Sequence, residues 1–239
     1  MVCFALPRAP RKGIYLWDLP TRACHWSLAA AIALAVTTGF IGGSAMELHG
    51  KTGVAIVGLV AFRIVWGIAG STYARFASFV RGPAAIRAAL RGEWQGVGHN
   101  PLGALSVLAL LSLSLLQAAT GLFGNDDISF SGPLYALVSK ETSDLLTGLH
   151  HQSVWLLLVL VGLHLAAIAF YVRVKKDNLV RPMLVGWKDE AAGQAESARG
   201  GGIVAFVVAL GIALAAAWAA SGGLVAPPAP PPAAATPAW

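Results

Sequence analysis

The stretch Leu149–Leu165, which reads LHHQSVWLLLVLVGLHL, decides how this chain folds. It belongs to an apolar run long enough to form a membrane-spanning helix. His150 and His164 stand 14 residues apart in it. That is just under four helical turns, so the two rings share one face about 21 Å apart along the axis. Because a bilayer core is about 30 Å thick, one imidazole is expected near each leaflet.

The composition of the whole chain is that of an integral membrane protein. Of the 239 residues, 56% are hydrophobic and 12% are charged, and the mean hydropathy is +0.68. The segment Val2–Pro7 is too short and interrupted for a signal-peptide core, so the first span is expected to stay attached. We predict an all-α membrane protein with five spans, at about residues 25–45, 51–70, 102–123, 151–172 and 203–220.

The distribution of basic residues predicts the orientation. They gather before the first span, between the second and third, and after the fourth. The opposite side carries two lysines against five carboxylates: Lys51, Lys140, Glu47, Asp126, Asp127, Glu141 and Asp144. The positive-inside rule then puts the N-terminus in the cytoplasm and the C-terminus in the periplasm of a bacterial inner membrane. The net charge of +6 therefore indicates the orientation of the chain in the membrane and does not indicate nucleic-acid binding.

Four histidines sort into two pairs of equal depth. His25 opens the first span on the cytoplasmic side, His49 opens the second on the external side, and the fourth span runs inward. This arrangement pairs His25 with His164 and His49 with His150, each from different helices. A single membrane histidine can simply hydrogen-bond a neighbouring helix. Two matched pairs instead predict two bis-imidazole haems, of the non-covalent b type because no Cys-x-x-Cys-His occurs.

Two further residues repeat the 14-residue spacing. Arg63 follows His49 by 14 residues and falls at the depth of the cytoplasmic haem, where it could pair with a propionate. The alternative is an arginine that extends to the lipid headgroups. Gly39 follows His25 by the same interval and would leave room for the outer porphyrin. Ordinary packing of small residues between helices is the alternative for Gly39.

Three other polar residues, His151, His99 and Lys51, each receive a separate prediction. His151 lies about 140° around the helix from His164, so we expect it to face away from the haem. His99 is predicted at the cytoplasmic interface, where it could hydrogen-bond a quinone carbonyl or a propionate, or be solvated. Lys51, beside the outer haem edge, is a candidate to receive an anion, although the acidic residues around it oppose strong steering of negative substrates.

The chain is predicted to divide near residue 190. Residues 1–190 form a four-helix di-haem core, in which 71–100 is an interfacial amphipathic segment and 124–147 an external loop. That loop could be a lid, a docking surface or a cover for the bundle end. Residues 191–239 add a linker, a fifth helix without histidine and a proline-rich periplasmic tail. The fifth helix and the tail offer surfaces for a complex without adding chemistry.

A series of short motifs runs in order through residues 14–188. They include Trp17-Asp-Leu-Pro-Thr-Arg22, Leu48-His49-Gly50, Phe62-Arg63-Ile-Val-Trp66-Gly67, Gly98-His99-Asn-Pro-Leu-Gly103, Thr120-Gly-Leu-Phe-Gly-Asn-Asp-Asp127 and Asn178-Leu-Val-Arg-Pro-Met183. In these motifs the chain resembles the bacterial cytochrome b561 family, and more closely the b-type cytochrome subunits grouped with nickel–iron hydrogenase. The resemblance implies four core helices, two b haems held by the same four histidines, and electron exchange with quinone or a partner redox protein.

The leading functional expectation is transmembrane electron transfer between the quinone pool and a periplasmic cytochrome or redox subunit. The chain would then be the electron-transfer subunit of a membrane oxidoreductase, since bis-histidine ligation leaves no open iron position. One alternative is a stand-alone superoxide:quinone oxidoreductase. Another is a non-haem membrane anchor or a metal transporter, although transport favours buried carboxylates or broken-helix repeats that are not evident here.

Overall fold

The computed structural model describes residues 11–94, 96–191 and 196–225. Eight α-helices follow one another in these residues: α1 (Leu19–Ile41), α2 (Met46–Ala69), α3 (Phe76–Phe79), α4 (Pro83–Leu90), α5 (Pro101–Leu122), α6 (Lys140–Arg173), α7 (Val180–Val185) and α8 (Gly202–Trp218). The long helices α1, α2, α5, α6 and α8 have the length and apolarity to cross a membrane. The predicted all-α membrane fold with five spans is therefore confirmed.

The first long helix begins about six residues earlier than predicted. A carboxylate oxygen of Asp18 accepts a hydrogen bond from the backbone N–H of Thr21 at 2.7 Å, which caps the first turn. Pro20 fits this turn because the N–H that it lacks would have no partner within the helix. His25 consequently lies more than one turn inside α1 and does not open the span as predicted.

The fourth long helix also begins earlier, at Lys140. The Ser139 hydroxyl accepts a hydrogen bond from the backbone N–H of Thr142 and caps the helix start. The prediction of a loop over residues 124–147 was therefore wrong at its end, because the polar turns before His150 are helical. The hydropathy of the run shows where apolar residues begin, whereas the cap decides where the helix begins.

The segment predicted to lie at the interface contains α3 and α4, and Leu90 at the end of α4 is exposed. Asn100 caps the next helix by accepting a hydrogen bond from the backbone N–H of Gly103 at 2.6 Å. Pro101 occupies the first helical position, so the predicted start of α5 is confirmed.

A two-stranded antiparallel ribbon pairs the chain segment before α1 with the segment after α7. The sequence analysis did not predict it. Strand β1 (Arg11–Tyr15) pairs with β2 (Trp187–Ala191), and Tyr15 stands opposite Trp187 with their ring centroids 5.2 Å apart. Gly186 ends α7 with φ +87°, a left-handed conformation that favours glycine. Its backbone oxygen accepts the N–H of Leu16 at 2.8 Å. The ribbon thus closes the region at one end of the bundle.

The helix α2 is central to the assembly. It packs against α1, α5 and α8, while α5 also packs against α6. At Gly58 an added Cβ would lie 3.2 Å from both the backbone oxygen of Ala213 and the Cβ of Ala217, so α8 lies close to α2. One buried cluster joins α1, α2 and α8, with the members Cys24, Phe62, Trp66, Ala74, Ala209 and Ala213.

Candidate functional site

The four histidines meet in the two predicted pairs. The ring centroids of His49 (α2) and His150 (α6) lie 5.8 Å apart with planes at 85°. Those of His25 (α1) and His164 (α6) lie 6.5 Å apart with planes at 47°. We call these the outer pair and the inner pair, after the predicted orientation.

Both separations suit a single metal ion between two imidazoles. A metal bonded to one nitrogen of each ring at about 2.0 Å holds the ring centroids roughly 6 Å apart. No group of three or more His, Cys, Asp or Glu side chains in the described ranges is arranged to hold a metal ion. Two imidazoles on opposite sides are the donor set that a haem iron takes when the porphyrin supplies its other ligands.

The imidazoles of the outer pair are oriented by backbone carbonyls. Nδ1 of His49 lies 2.9 Å from the oxygen of Ala35, and Nδ1 of His150 lies 2.8 Å from the oxygen of Gln117. A carbonyl only accepts, so each Nδ1 carries the proton and donates it. This tautomer leaves both Nε2 atoms with a lone pair for a metal, which is the usual arrangement around a ligating histidine.

A cavity of about 510 Å³ surrounds the outer pair, within the roughly 300–1,000 Å³ typical of ligand pockets. Glycines shape its wall next to the two rings. A Cβ at Gly39 would lie 3.0 Å from Cε1 of His49, and a Cβ at Gly121 would lie 2.9 Å from Cε1 of His150. Gly53 also lines the cavity, with open space where its Cβ would be. The structure therefore offers a largely apolar cradle that side chains at these positions would narrow.

The inner pair has looser polar surroundings. Nδ1 of His25 is buried without a hydrogen-bond partner among the described residues. Nδ1 of His164 has the Ser106 hydroxyl oxygen at 3.5 Å, the limit of a hydrogen bond. The two rings thus face each other without the carbonyl bonds that orient the outer pair.

Arg63 lies within electrostatic range of His25 of this inner pair and is only 7% exposed. Its guanidinium carbon lies 5.0 Å from the centre of the Phe76 ring, a cation–π contact. Its Nη1 has no hydrogen-bond partner in the described part of the chain. A side chain that extended to the headgroups would be exposed, so the structure contradicts that alternative for Arg63. A buried guanidinium with a free donor instead suits an anionic group.

His99 lies between two aromatic rings at the same end of the bundle. Its ring centroid is 4.7 Å from that of Trp17 and 4.6 Å from that of Phe79, and its buried Nδ1 has no partner among the described residues. Burial, together with the nearby Arg63 charge, lowers the pKa of His99 to about 3, so the ring is neutral. The residue is only partly buried, and its contacts with Trp17 and Phe79 favour a hydrogen-bonding role over that of a solvated interfacial side chain.

The structure does not bring Lys51 into the cavity. Its side chain is exposed, and Nζ contacts a carboxylate oxygen of Glu47 at 2.5 Å. His151 is also exposed, although it touches the cavity rim beside His150, 6.2 Å away between ring centroids. Sequence reasoning missed Gln117 and Gly121, which support His150 from α5. The sequence signal for Gln117 was its place in an apolar helix, where a glutamine is costly. Gly121, which leaves room for the His150 ring, belongs to the motif Thr120–Asp127 quoted above.

Comparison with known proteins decides the family. The sequence model described as prokaryotic cytochrome b561 matches residues 16–186. The chain belongs to this family. A probable Ni/Fe-hydrogenase B-type cytochrome subunit of Rhizobium leguminosarum bv. viciae is 24% identical over 213 residues, covering 73% of this chain and 86% of that protein. Proteins of that description from Azotobacter chroococcum mcd 1 and Azotobacter vinelandii are each 26% identical, covering 74% of this chain and 89% of their own. No solved structure matches the chain.

Membership of the cytochrome b561 family establishes the outline of the function. The chain is a multi-pass membrane protein that transfers electrons across a membrane through haem b and exchanges them with a redox partner. The matched region contains both histidine pairs and ends at Gly186, before α8 begins. The fifth helix, α8 (Gly202–Trp218), lies outside the region that the family model matches.

Proposed function

We propose that this cytochrome carries electrons through two b-type haems, each held by one histidine pair, between the quinone pool and a periplasmic redox partner or partner subunit. The observation that carries the proposal is the pairing of imidazoles from different helices, His49 with His150 and His25 with His164, at ring separations of 5.8 and 6.5 Å. The two pairs are about 21 Å apart along the helix axis, which covers most of the apolar thickness of a membrane.

The chain's own groups hold and orient the cofactor. The backbone oxygens of Ala35 and Gln117 fix the outer rings with Nε2 free, and glycines leave space beside them. Haem iron, when bound, supplies the one-electron chemistry that these side chains lack. Bis-histidine ligation would leave no open position on the iron, so the haems would relay electrons and would not bind oxygen.

We assign supporting roles to residues around the inner pair. Arg63 would bind a haem propionate, which offsets the cost of its own burial. His99, neutral and fixed between Trp17 and Phe79, would donate a hydrogen bond to a propionate or to a quinone carbonyl. Gly39 belongs to the outer site, where it makes room for the His49 ring.

The proposed setting is the bacterial inner membrane, with the N-terminus in the cytoplasm and the C-terminus in the periplasm. The positive-inside distribution of lysine and arginine supports this orientation. The relatives are described as subunits, which supports an electron-transfer subunit that works with a hydrogenase-like or other periplasmic partner. Residues 1–190 would be the di-haem core. Residues 191–239 would contribute to assembly, although the proline-rich segment 227–232 lies outside the described residues.

The superoxide alternative finds less support. Lys51 pairs with Glu47, and Lys140 pairs with Asp127 and Asp144, so neither lysine presents an unopposed positive charge to an anion. Electron relay to a protein partner therefore explains the external surface better.

Haem content tests the proposal. Purified full-length protein should give a b-type reduced-minus-oxidised spectrum and two haems per chain by pyridine haemochrome. Variants His25→Ala and His49→Ala should each lose one of the two, since each removes a ligand from a different pair. A ratio near one haem in the wild-type chain would contradict the two-pair scheme.

A further inference from the structure

We propose that the unequal surroundings of the two histidine pairs set the order of the haem potentials, with the outer haem lower and the inner haem higher. The inference rests on the two-haem function proposed above. It follows from three differences between the sites: the hydrogen bonds to the ligands, the position of a buried positive charge, and the charges at the bundle ends.

The first difference is in the ligand hydrogen bonds. Both outer imidazoles donate from Nδ1 to a backbone oxygen, at 2.9 Å for His49 and 2.8 Å for His150. Such bonds increase the basicity of the ligating nitrogen. A more basic ligand stabilises the ferric state over the ferrous state, and so lowers the reduction potential.

The inner imidazoles lack this support. Nδ1 of His25 has no partner among the described residues, and Nδ1 of His164 reaches only a hydroxyl oxygen at 3.5 Å. These ligands donate less charge to the iron than the outer ones. The ferrous state of the inner haem is thereby favoured relative to that of the outer haem.

The second difference is the buried charge of Arg63. Its side chain is 7% exposed and makes no ion pair with a described residue. Asp18 and the propionate that Arg63 would bind offset part of its charge, and burial leaves the remainder weakly screened. A ferric bis-imidazole porphyrin core carries one more positive charge than the ferrous core. A nearby guanidinium therefore destabilises the ferric form and raises the potential of the inner haem.

The third difference lies at the outer end. Asp126 lines the outer cavity, and Asp127 and Asp144 share the single cation of Lys140. The remaining lysine there, Lys51, is neutralised by Glu47. The excess of carboxylates stabilises the ferric outer haem, in the same direction as the hydrogen bonds.

The order gives the relay a downhill direction, from the outer to the inner haem. With two haems bound, each transfer would oxidise the outer iron from ferrous to ferric and use that one electron to reduce the inner iron from ferric to ferrous. No proton moves in this step. An external one-electron donor protein would re-reduce the outer haem. After two such transfers, a quinone near the inner haem would take the two electrons, together with two protons from the cytoplasmic water, to become quinol.

Optical redox titration of the full-length protein in lipid nanodiscs tests the order. The wild type should show two one-electron waves. His150→Ala, which keeps the inner pair, should retain the higher wave, and His49→Ala should do the same. Arg63→Gln should move only the higher wave to a lower potential, and Arg63→Lys should leave that wave near its wild-type position because the charge is kept.

Arg91→Gln is the matched control, since Arg91 is an exposed arginine on the cytoplasmic side and its substitution removes the same charge. It should shift neither wave. Retention of the lower wave in His150→Ala would overturn the proposed order, as would an Arg63→Gln protein with both waves unchanged. The haem ratio of the same samples separates this failure from failure of the two-haem function, because a wrong order with two haems per chain leaves that function intact.

Discussion

His150 and Gln117 bind each other twice. Nδ1 of His150 donates to the backbone oxygen of Gln117 at 2.8 Å, and Nε2 of Gln117 donates to the backbone oxygen of His150 at 3.0 Å. The first bond orients the imidazole, and the second ties α5 to α6 at the same level. The amide oxygen of Gln117 also accepts a hydrogen bond from the Ser153 hydroxyl. Both the nitrogen and the oxygen of this side-chain amide, inside an apolar helix, therefore have hydrogen-bond partners.

Replacing Gln117 by leucine should weaken the outer site without emptying it. The backbone oxygen remains for His150, but the side-chain bonds between the helices are lost, at about 0.6–1.7 kcal/mol for interhelical polar contacts in a membrane. Both haems should stay bound, and the temperature at which the outer haem is released should fall. Gln152→Leu is the control, because Gln152 is exposed on α6. Equal behaviour of the two variants would contradict the role of Gln117.

A side chain at Gly121 should displace the His150 ring. A Cβ at this position would lie 2.9 Å from Cε1 and 3.1 Å from Nδ1 of the ring, closer than ordinary contact. Gly121→Val should therefore lower the haem ratio from two to one. In Gly162→Val, where no atom lies within 4 Å of the added Cβ, the ratio should stay at two. Haemochrome assay of the two proteins measures this difference.

The neighbouring histidines should differ in their effect on haem content. His150 faces His49 across the cavity, whereas His151 is exposed at the rim. We expect His150→Ala to lose the outer haem and His151→Ala to keep both. Visible spectra of the two purified variants provide the measurement, and loss of haem from the His151 variant alone would reverse the assignment.

The loop over the outer cavity should loosen in acid. The Asp126 carboxylate accepts backbone N–H bonds from Phe130, Ile128 and Ser129, and these bonds lower its pKa. Their contribution is complete above the ordinary aspartate pKa of about 3.9 and is lost as pH falls through the lowered pKa. As pH falls over that range, the hydrogen-exchange rate of the three amides should rise. Asp126→Asn keeps an acceptor oxygen. In this variant the exchange rate of the three amides should change over the same pH range only through its intrinsic pH dependence.

Removal of residues 197–239 should spare both haems, because the histidine pairs are complete without them. It should instead change assembly, since α8 packs on α2 at Gly58 and its other face is apolar and exposed. Haem ratio and native-complex size of the truncated protein are the measurements. Gly58→Val, which crowds Ala213 without deleting anything, should reproduce the change in complex size. Loss of a haem on truncation would place α8 in the core.

Much of this arrangement could be predicted from local sequence. The five spans follow from hydropathy over about twenty residues, and the pairing of His150 with His49 follows from helical spacing and alternating span direction. Arg63 was expected at the inner level by the same spacing, and it lies there. These features depend on one helix at a time and on the order in which helices cross the membrane.

The missing features depend on contacts between distant parts of the chain. The carbonyl that orients His150 belongs to Gln117, and a backbone acceptor leaves no trace in sequence. The ribbon pairs Tyr15 with Trp187, which are separated in sequence by the whole four-helix region. The early start of α6 is set by the Ser139 cap, since its first turns are too polar for a hydropathy pattern to include.

The ribbon of β1 and β2 also requires the number of membrane crossings between its two strands to be even. Because its two strands are hydrogen-bonded neighbours, the four-helix unit is entered and left at the same end, after an even number of crossings. Anything added after β2 starts on the same side as β1. The single further crossing of α8 makes the number odd and delivers the following residues to the opposite side. An unchanged electron-transfer unit can thus acquire an extension on the far side of the membrane through one helix.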